Sequence, residues 1–270
     1  MKRMLVAVFT ALMLLITGCQ SSTEQGATKT TRKQLLLVPA DAINQQSAQA
    51  YRQTLVKANR MHRLDTTSPD AQRVLTIAQR LANQVSVFRP DATQWKWEVN
   101  TIKSDEVNAF CMPGGKIAVF TGIIRKLNLT DDELAAVIGH EISHALREHS
   151  REKVSQQLLQ QGAITIVGVA TGSQIHQGMA ALISQYLFAL PYSRTMETES
   201  DIMGLELMAR AGFNPEAAPN VWRKMAKLQQ GRTPPQFLST HPSDQTRIAN
   251  LEKALPTVKP LYEAAIKNAG

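Results

Sequence analysis

The chain has 270 residues, 43% apolar and 19% charged, with a formal net charge of +8. That length and balance suit one globular domain with an appended segment, and exclude a disordered or low-complexity chain. The basic excess is spread along the chain without a basic–aromatic cluster, which argues against nucleic acid as a partner.

Lys2 and Arg3 open the chain, and residues 4–16 form an apolar run of 13. A basic start, a short apolar core and small residues before a cut site describe a secretory signal peptide, expected over residues 1–18. The run falls short of the ~20 apolar residues that span a bilayer. Ile16-Thr17-Gly18-Cys19 resembles the bacterial lipobox, in which the Cys is lipidated and becomes the new N-terminus. Cys19 is therefore the expected lipidation site, and the resemblance implies multiple acylation, enough for stable anchoring in a membrane. Gln20, by resemblance to sorted lipoproteins, implies the outer membrane, with the chain facing the periplasm. Loss of Lys2 and Arg3 lowers the formal charge from +8 to +6. Cys111 is then left with no internal disulfide partner. Residues 21–33 are polar without apolar periodicity, so residues 19–40 read as lipidated Cys plus flexible tether. Residues 41–270 read as the folded domain.

Residues 42–64 and 69–88 have helical character. In the second, Val74, Ile77, Leu81 and Val85 recur at three- and four-residue spacing, a core-facing stripe. Residues 95–102 alternate apolar and polar side chains, which predicts a half-buried strand. Residues 107–112 and 116–120 are two more strand candidates, joined by the tight-turn signal Pro113-Gly114-Gly115. A small antiparallel sheet among helices is the expectation. Thr130 followed by Glu133 is a capping box, and opens a helix expected from about residue 131 to about 153. Residues 162–190 are apolar but interrupted by Gly168, Gly172, Gln174, His176 and Gln177, so buried or groove-covering helices are preferred to a membrane span. Helices are also expected over residues 193–210, 215–229, 242–254 and the last ten residues.

His140-Glu141-Ile142-Ser143-His144 reads H-E-x-x-H within the capped helix. Residues four apart share a helix face, so both imidazoles can reach one metal ion. Glu141, adjacent to the first ligand, can take a proton from a metal-bound water. Leu134, Val137, Ile138 and Ile142 set the motif against a core. A catalytic zinc needs a third protein ligand and an open position. Glu197 and Asp201 are four apart, so Glu197 could bind zinc while Asp201 accepts the free ring N–H of a ligand histidine. Glu199 reads as a surface carboxylate, and His149 and His176 as non-ligands.

Asn108-Ala109-Phe110 with Pro113-Gly114-Gly115, then H-E-x-x-H, then S-R-x-x-E-x-E-x-D resembles the HtpX and CaaX-prenyl-protease family of zinc metallopeptidases. Over residues 70–250 the chain is similar to its short lipoprotein members of the LoiP/YcaL type. Ser200 departs from the Ala usual before the final Asp. The resemblance implies an α+β fold, mostly helical and zincin-type, with the small antiparallel sheet beside the H-E-x-x-H helix. It implies one Zn2+ per chain held by His140, His144 and Glu197, and Glu141 as the base. It places His241 near the metal, as a hydrogen-bond donor to the oxyanion or as the occupant of the open position, against a plain helix-entry residue before Pro242. Arg194 and Arg247 could line the site or serve in ion pairs. It also favours substrate binding at Asn108 and along the strand Lys116, Ile117, Ala118 and Val119, through backbone hydrogen bonds to an extended peptide. The function implied is a zinc endopeptidase acting on misfolded or unassembled cell-envelope proteins, with outer-membrane protein assembly machinery as a partner. Its competitor is a periplasmic chaperone or assembly factor with a latent zinc site. An inner-membrane protease of the same family is a third reading.

Overall fold

The computed structural model describes residues 19–160, 191–229, 235–242 and 245–269. The expected signal peptide and the apolar segment 162–190 lie outside the described residues. Among the described residues, no helix is long and apolar enough to cross a membrane.

A two-residue strand β1 (Cys19–Gln20) pairs with β2 (Gln34–Leu35). The chain continues through α1 (Ala40–Arg60), β3 (Leu64–Asp65) and α2 (Pro69–Ala82). Next come β4 (Glu98–Ile102), β5 (Ala109–Met112), β6 (Lys116–Phe120) and the short helix α3 (Thr121–Lys126). Helices α4 (Asp131–Leu146) and α5 (His149–Gln160) follow. After the undescribed segment come α6 (Arg194–Arg210), α7 (Ala218–Gln229), α8 (Gln236–Thr240) and α9 (Gln245–Ala269).

The mostly helical, zincin-type expectation holds, with one correction in the sheet. The strand order is β3-β4-β6-β5: β4 runs parallel to β6, β3 pairs antiparallel with β4, and β5 pairs antiparallel with β6. The sheet is therefore mixed. The Pro113-Gly114-Gly115 turn makes the β5–β6 hairpin as expected, with φ of +81° at Gly114 and +76° at Gly115. The connection after β4 carries the chain outward first, so the hairpin returns with β6 inside and β5 at the rim. Thr121 fixes this crossing: its hydroxyl accepts from the Ser104 N–H and donates to the Ser104 carbonyl, both at 3.0 Å.

Helix α4 starts at the capping box, with the Glu133 N–H donating to Thr130 Oγ1 at 3.2 Å and the Thr130 N–H donating to Glu133 Oε2 at 2.8 Å. It ends at Leu146, earlier than expected. Glu148 takes φ of +50°, which breaks the helix, and α5 restarts at His149. Val74, Ile77 and Leu81 bury the expected stripe of α2. They join one core with α4, α6, α7, α9 and one face of the sheet.

Helices α4 and α6 cross at two glycines. A Cβ on Gly204 would lie 2.8 Å from the His140 backbone nitrogen, and one on Gly139 would lie 3.1 Å from the Gly204 carbonyl oxygen. Backbone therefore meets backbone there.

Residues 21–33, expected as a flexible tether, instead lie against the helices. Glu206 of α6 is fully buried and accepts from the Ala27 and Thr28 N–H groups at 2.9 and 2.8 Å. Arg147, just past α4, donates to Ser21 and Thr23 hydroxyls and to the Arg32 carbonyl. Polar composition hid this docking because the partners are buried polar groups rather than core.

Gly204→Ala is expected to destabilise the fold by about 1–3 kcal/mol, because the clash is with backbone that no rotamer change relieves. It should also lower zinc content. Gly114→Ala, which meets nothing within 4 Å, should cost about 1–2 kcal/mol through backbone strain alone and leave zinc binding intact. Chemical denaturation and metal analysis of both variants check the contrast.

Candidate metal centre and active-site cleft

His140 and His144 sit one turn apart on α4, and the glycine crossing brings Glu197 of α6 against them. His241, which ends α8, completes the group. One ligand atom from each of His140, His144, Glu197 and His241 lies within 4.8 Å of the others. His140 Nε2 is 3.1 Å from His144 Nε2 and 3.4 Å from Glu197 Oε2. His144 Nε2 is 3.3 Å from Glu197 Oε1. His241 turns Nδ1 to Glu197 Oε1 at 3.0 Å and Nε2 to Glu141 Oε1 at 3.4 Å. All five side chains are buried.

Each ligand histidine has a partner behind it. His140 Nδ1 lies 2.9 Å from Asp201 Oδ1, so this nitrogen carries the proton and Nε2 presents a lone pair. Arg247 clamps Asp201 with two bonds of 2.7 Å, reaches Glu197 Oε2 at 2.6 Å, and stacks 3.5 Å over the Trp222 ring. His144 Nδ1 lies 3.0 Å from His149 Nδ1, and His149 Nε2 lies 3.0 Å from Glu199 Oε2. Glu199 accepts only, so His149 Nε2 carries the proton and His149 Nδ1 accepts from His144. His144 Nε2 is then a lone pair as well.

The residues present fit zinc. The Nε2 atoms of His140 and His144 face each other across 3.1 Å beside the Glu197 carboxylate, an arrangement that a cation can hold in place of a proton. Glu141 Oε1 is buried with no hydrogen-bond partner among the described residues, and Glu197 Oε2 meets the Arg247 guanidinium while lying 3.4 Å from His140 Nε2. Nitrogen and oxygen donors at tetrahedral spacing are the zinc set.

The electrostatics follow from burial against charge. Burial opposes a charge on His140, but Asp201 and Glu197 outweigh it and raise its value to about 9. Burial pushes His144 well below its ordinary value. Burial would raise Glu197 and Asp201, yet His241 and Arg247 hold Glu197 well below the carboxylate range, and Arg247 does the same for Asp201. Burial raises Glu141, against the pull of His241 and His140. Glu141 is thus the one carboxyl of the group shifted toward accepting a proton.

A cavity of about 320 Å³ opens beside Glu141, walled by Asn108, Phe110, Lys153, Tyr192 and His241. Its floor is β5. The Phe120 N–H donates to the Asn108 carbonyl at 3.1 Å, which sets the phase of the hairpin. Residues 108, 110 and 112 therefore bond to β6, and Ala109 and Cys111 turn their backbone groups outward, toward the cleft.

Asn108 lines the cleft, whereas Lys116, Ile117, Ala118 and Val119 do not. β6 is the inner strand, paired with β4 on one side and β5 on the other, and all of its residues are buried. Its backbone has no free edge. The strand that can meet a peptide is β5, because the hairpin places it outside. Glu199 is also not a surface carboxylate. It is 8% exposed and meets Arg32, Arg147 and His149. His149 lies outside the four-residue cluster, yet it does not rotate away from His144, because the break at Glu148 returns it there. Arg247 and Tyr192, whose ring centroid is 3.9 Å from that of His144, are further parts of the site. No motif spacing marks Tyr192. Arg194 is not among the residues lining the cleft.

Fold and site together define the class: a zincin-type metalloendopeptidase centre, with a helix-borne His pair, a glutamate from a second helix and a strand-floored cleft. The chain belongs to Peptidase family M48, whose model matches residues 68–255. It is 40% identical over 164 residues to the mitochondrial metalloendopeptidase OMA1 of Schizosaccharomyces pombe, covering 60% of this chain and 47% of that one. It is 30% identical over 211 residues to the human mitochondrial metalloendopeptidase OMA1, covering 73% and 40%. It is 30% identical over 172 residues to the beta-barrel assembly-enhancing protease of Escherichia coli K12, covering 59% and 34%. The chain thus spans half or less of the length of these relatives. This comparison overturns the outer-membrane, periplasm-facing location expected from Gln20: relatives of 34–40% identity are mitochondrial by name.

Glu199 supplies a pH test. Burial alone would raise its carboxyl, but the bonds from His149 and Arg32 and the charge of Arg147 bring it from 4.5 down to about 2. A carboxyl depressed on folding contributes stability that is complete above about pH 4.5 and lost as pH falls toward about 2. The stability gap between wild type and Glu199→Gln should narrow steadily across that window in denaturant titrations. A gap that stays constant contradicts the assignment.

Proposed function

We propose that the chain is a zinc-dependent endopeptidase whose cleft takes an extended segment of a protein substrate along β5. The observation that carries the reading is the convergence of His140, His144 and Glu197 on one point, with Glu141 between that point and the cleft. Zinc, when bound, polarises the scissile carbonyl and makes water acidic enough to attack near neutral pH. Glu141, buried beside the cluster and lining the cleft, would take that proton and deliver it to the leaving nitrogen. Asp201, fixed by Arg247, holds the His140 ring in the tautomer that leaves Nε2 free. Outward backbone groups of Ala109 and Cys111 bind the peptide main chain, which gives tolerance of substrate sequence.

Within the family, the lipobox-like sequence at Cys19 supports a short lipoprotein of the LoiP/YcaL type, with a signal peptide over residues 1–18 and a membrane anchor at Cys19. Substrates are misfolded or unassembled cell-envelope proteins. The name of the E. coli relative supports proteins engaged in β-barrel assembly as partners.

One observation favours a latent resting state. His241 brings a fourth protein ligand to the cluster, and closed four-ligand sites are structural rather than catalytic. His241→Ala should therefore raise basal hydrolysis several-fold and keep bound zinc. The wild type and Glu141→Gln test the main reading. Wild type should hold one zinc and cleave casein, and Glu141→Gln should keep the zinc and lose roughly 10²–10⁴-fold in rate. Undiminished cleavage by Glu141→Gln would remove Glu141 as the base.

A further inference from the structure

The matched family region begins at residue 68, yet the chain of contacts behind His144 reaches well ahead of it. Arg32 stands in the docked N-terminal segment. Its guanidinium meets Glu152 at 2.6 and 2.8 Å and both oxygens of Glu199 at 3.0 Å. Arg147, wholly buried, donates to Glu199 Oε1 at 2.9 Å. Two guanidinium and two carboxylate groups thus balance charge in one cluster. Gln34 closes it by donating to Glu152 Oε2 at 3.0 Å.

With both oxygens occupied by Arg32, Glu199 has one remaining task, to accept the His149 Nε2 proton. That leaves His149 Nδ1 as an acceptor for His144. Ser200 Oγ lies 3.2 Å from the same nitrogen, and there shares its one lone pair with the His144 N–H. The direction of the protons in the row follows from the carboxylate, which Arg32 holds through both oxygens and Arg147 through one.

We propose that Arg32, Glu199 and His149 form a positioning relay through which the N-terminal segment sets the orientation and tautomer of His144, and so the zinc affinity of the site. This rests on the zinc-centre reading above. These three are positioning residues and touch neither substrate nor metal. The segment ahead of the family domain is then a working part of the metal centre, and undocking it weakens metal binding without altering a ligand. The Asp201–Arg247 pair does the same for His140 from the opposite side, wholly within the family domain.

Zinc competition against a chromophoric chelator at fixed pH, on the full chain, tests this, with the visible spectrum of the cobalt-substituted protein as a second readout. Arg32→Gln and His149→Phe should each lose roughly 10–100-fold in zinc affinity and shift the cobalt bands, the range for lost partners behind a metal ligand. Arg32→Lys should recover part of the loss. Thr28→Val, which loosens the segment only where it meets Glu206, should stay within about twofold. Wild-type affinity and spectrum in Arg32→Gln would overturn the relay. Should His149→Phe not fold, Arg32→Gln decides alone, since that side chain is 32% exposed and tolerates replacement. Failure of the wild type itself to bind zinc would overturn the zinc-centre reading first, and is distinguished by that result.

Discussion

The metal cluster depends on two helices approaching more closely than side chains ordinarily allow. Gly139 and Gly204 make that approach possible, with a Cβ at either position facing the other helix's backbone. A single turn on each side of the crossing then delivers the chemistry: His140 and His144 from α4, Glu197 and Asp201 from α6. Without the glycines, helices pack 8–10 Å apart. A short carboxylate would have farther to reach.

Gathering so many ionisable groups in the interior carries a large desolvation cost, and buried ion pairs recover it only with good geometry. Here each charge has a specific partner. Asp201 takes a bidentate guanidinium, and the same Arg247 lies against the Trp222 ring, which shields it from water. On the other side, Glu199 and Glu152 share Arg32, with Arg147 behind them. The result is two networks flanking one pair of imidazoles. Glu141 belongs to neither network, and its carboxyl is the one in the cluster for which burial outweighs the pull of the neighbouring imidazoles. A base free of strong cationic partners is what proton transfer requires in the proposed reaction.

Legibility in the sequence tracked the distance over which each feature is encoded. H-E-x-x-H and Glu197/Asp201 were readable because helical periodicity alone puts positions four apart on one face. The capping box was equally local, and Thr130 and Glu133 make both of its bonds. The β5–β6 hairpin was readable from Pro113-Gly114-Gly115, but its placement was not. Which strand of a hairpin lies inside depends on how the preceding connection crosses, and that is settled by Thr121 and Ser104 far from the turn. The roles of His149 and Glu199 were hidden for a related reason. Ideal helix geometry turns a fifth residue away, and only the left-handed Glu148 returns it.

The same break explains how the cleft acquires its wall. Had α4 continued as one helix, its later residues would have run on along the core. Restarting at His149 redirects α5, so that Ser150 meets the Tyr192 hydroxyl at 2.9 Å and Lys153 lies 4.2 Å from the Tyr192 ring centre. Tyr192 in turn bonds through its N–H to the Thr240 carbonyl, next to His241. Three segments distant in sequence thereby meet around one ring, across the cavity from β5. Main-chain groups on the floor bind without regard to side chain, whereas an aromatic ring and a buried lysine on the wall do not. Discrimination among substrates in the proposed cleft therefore falls to Tyr192 and Lys153 rather than to the strand.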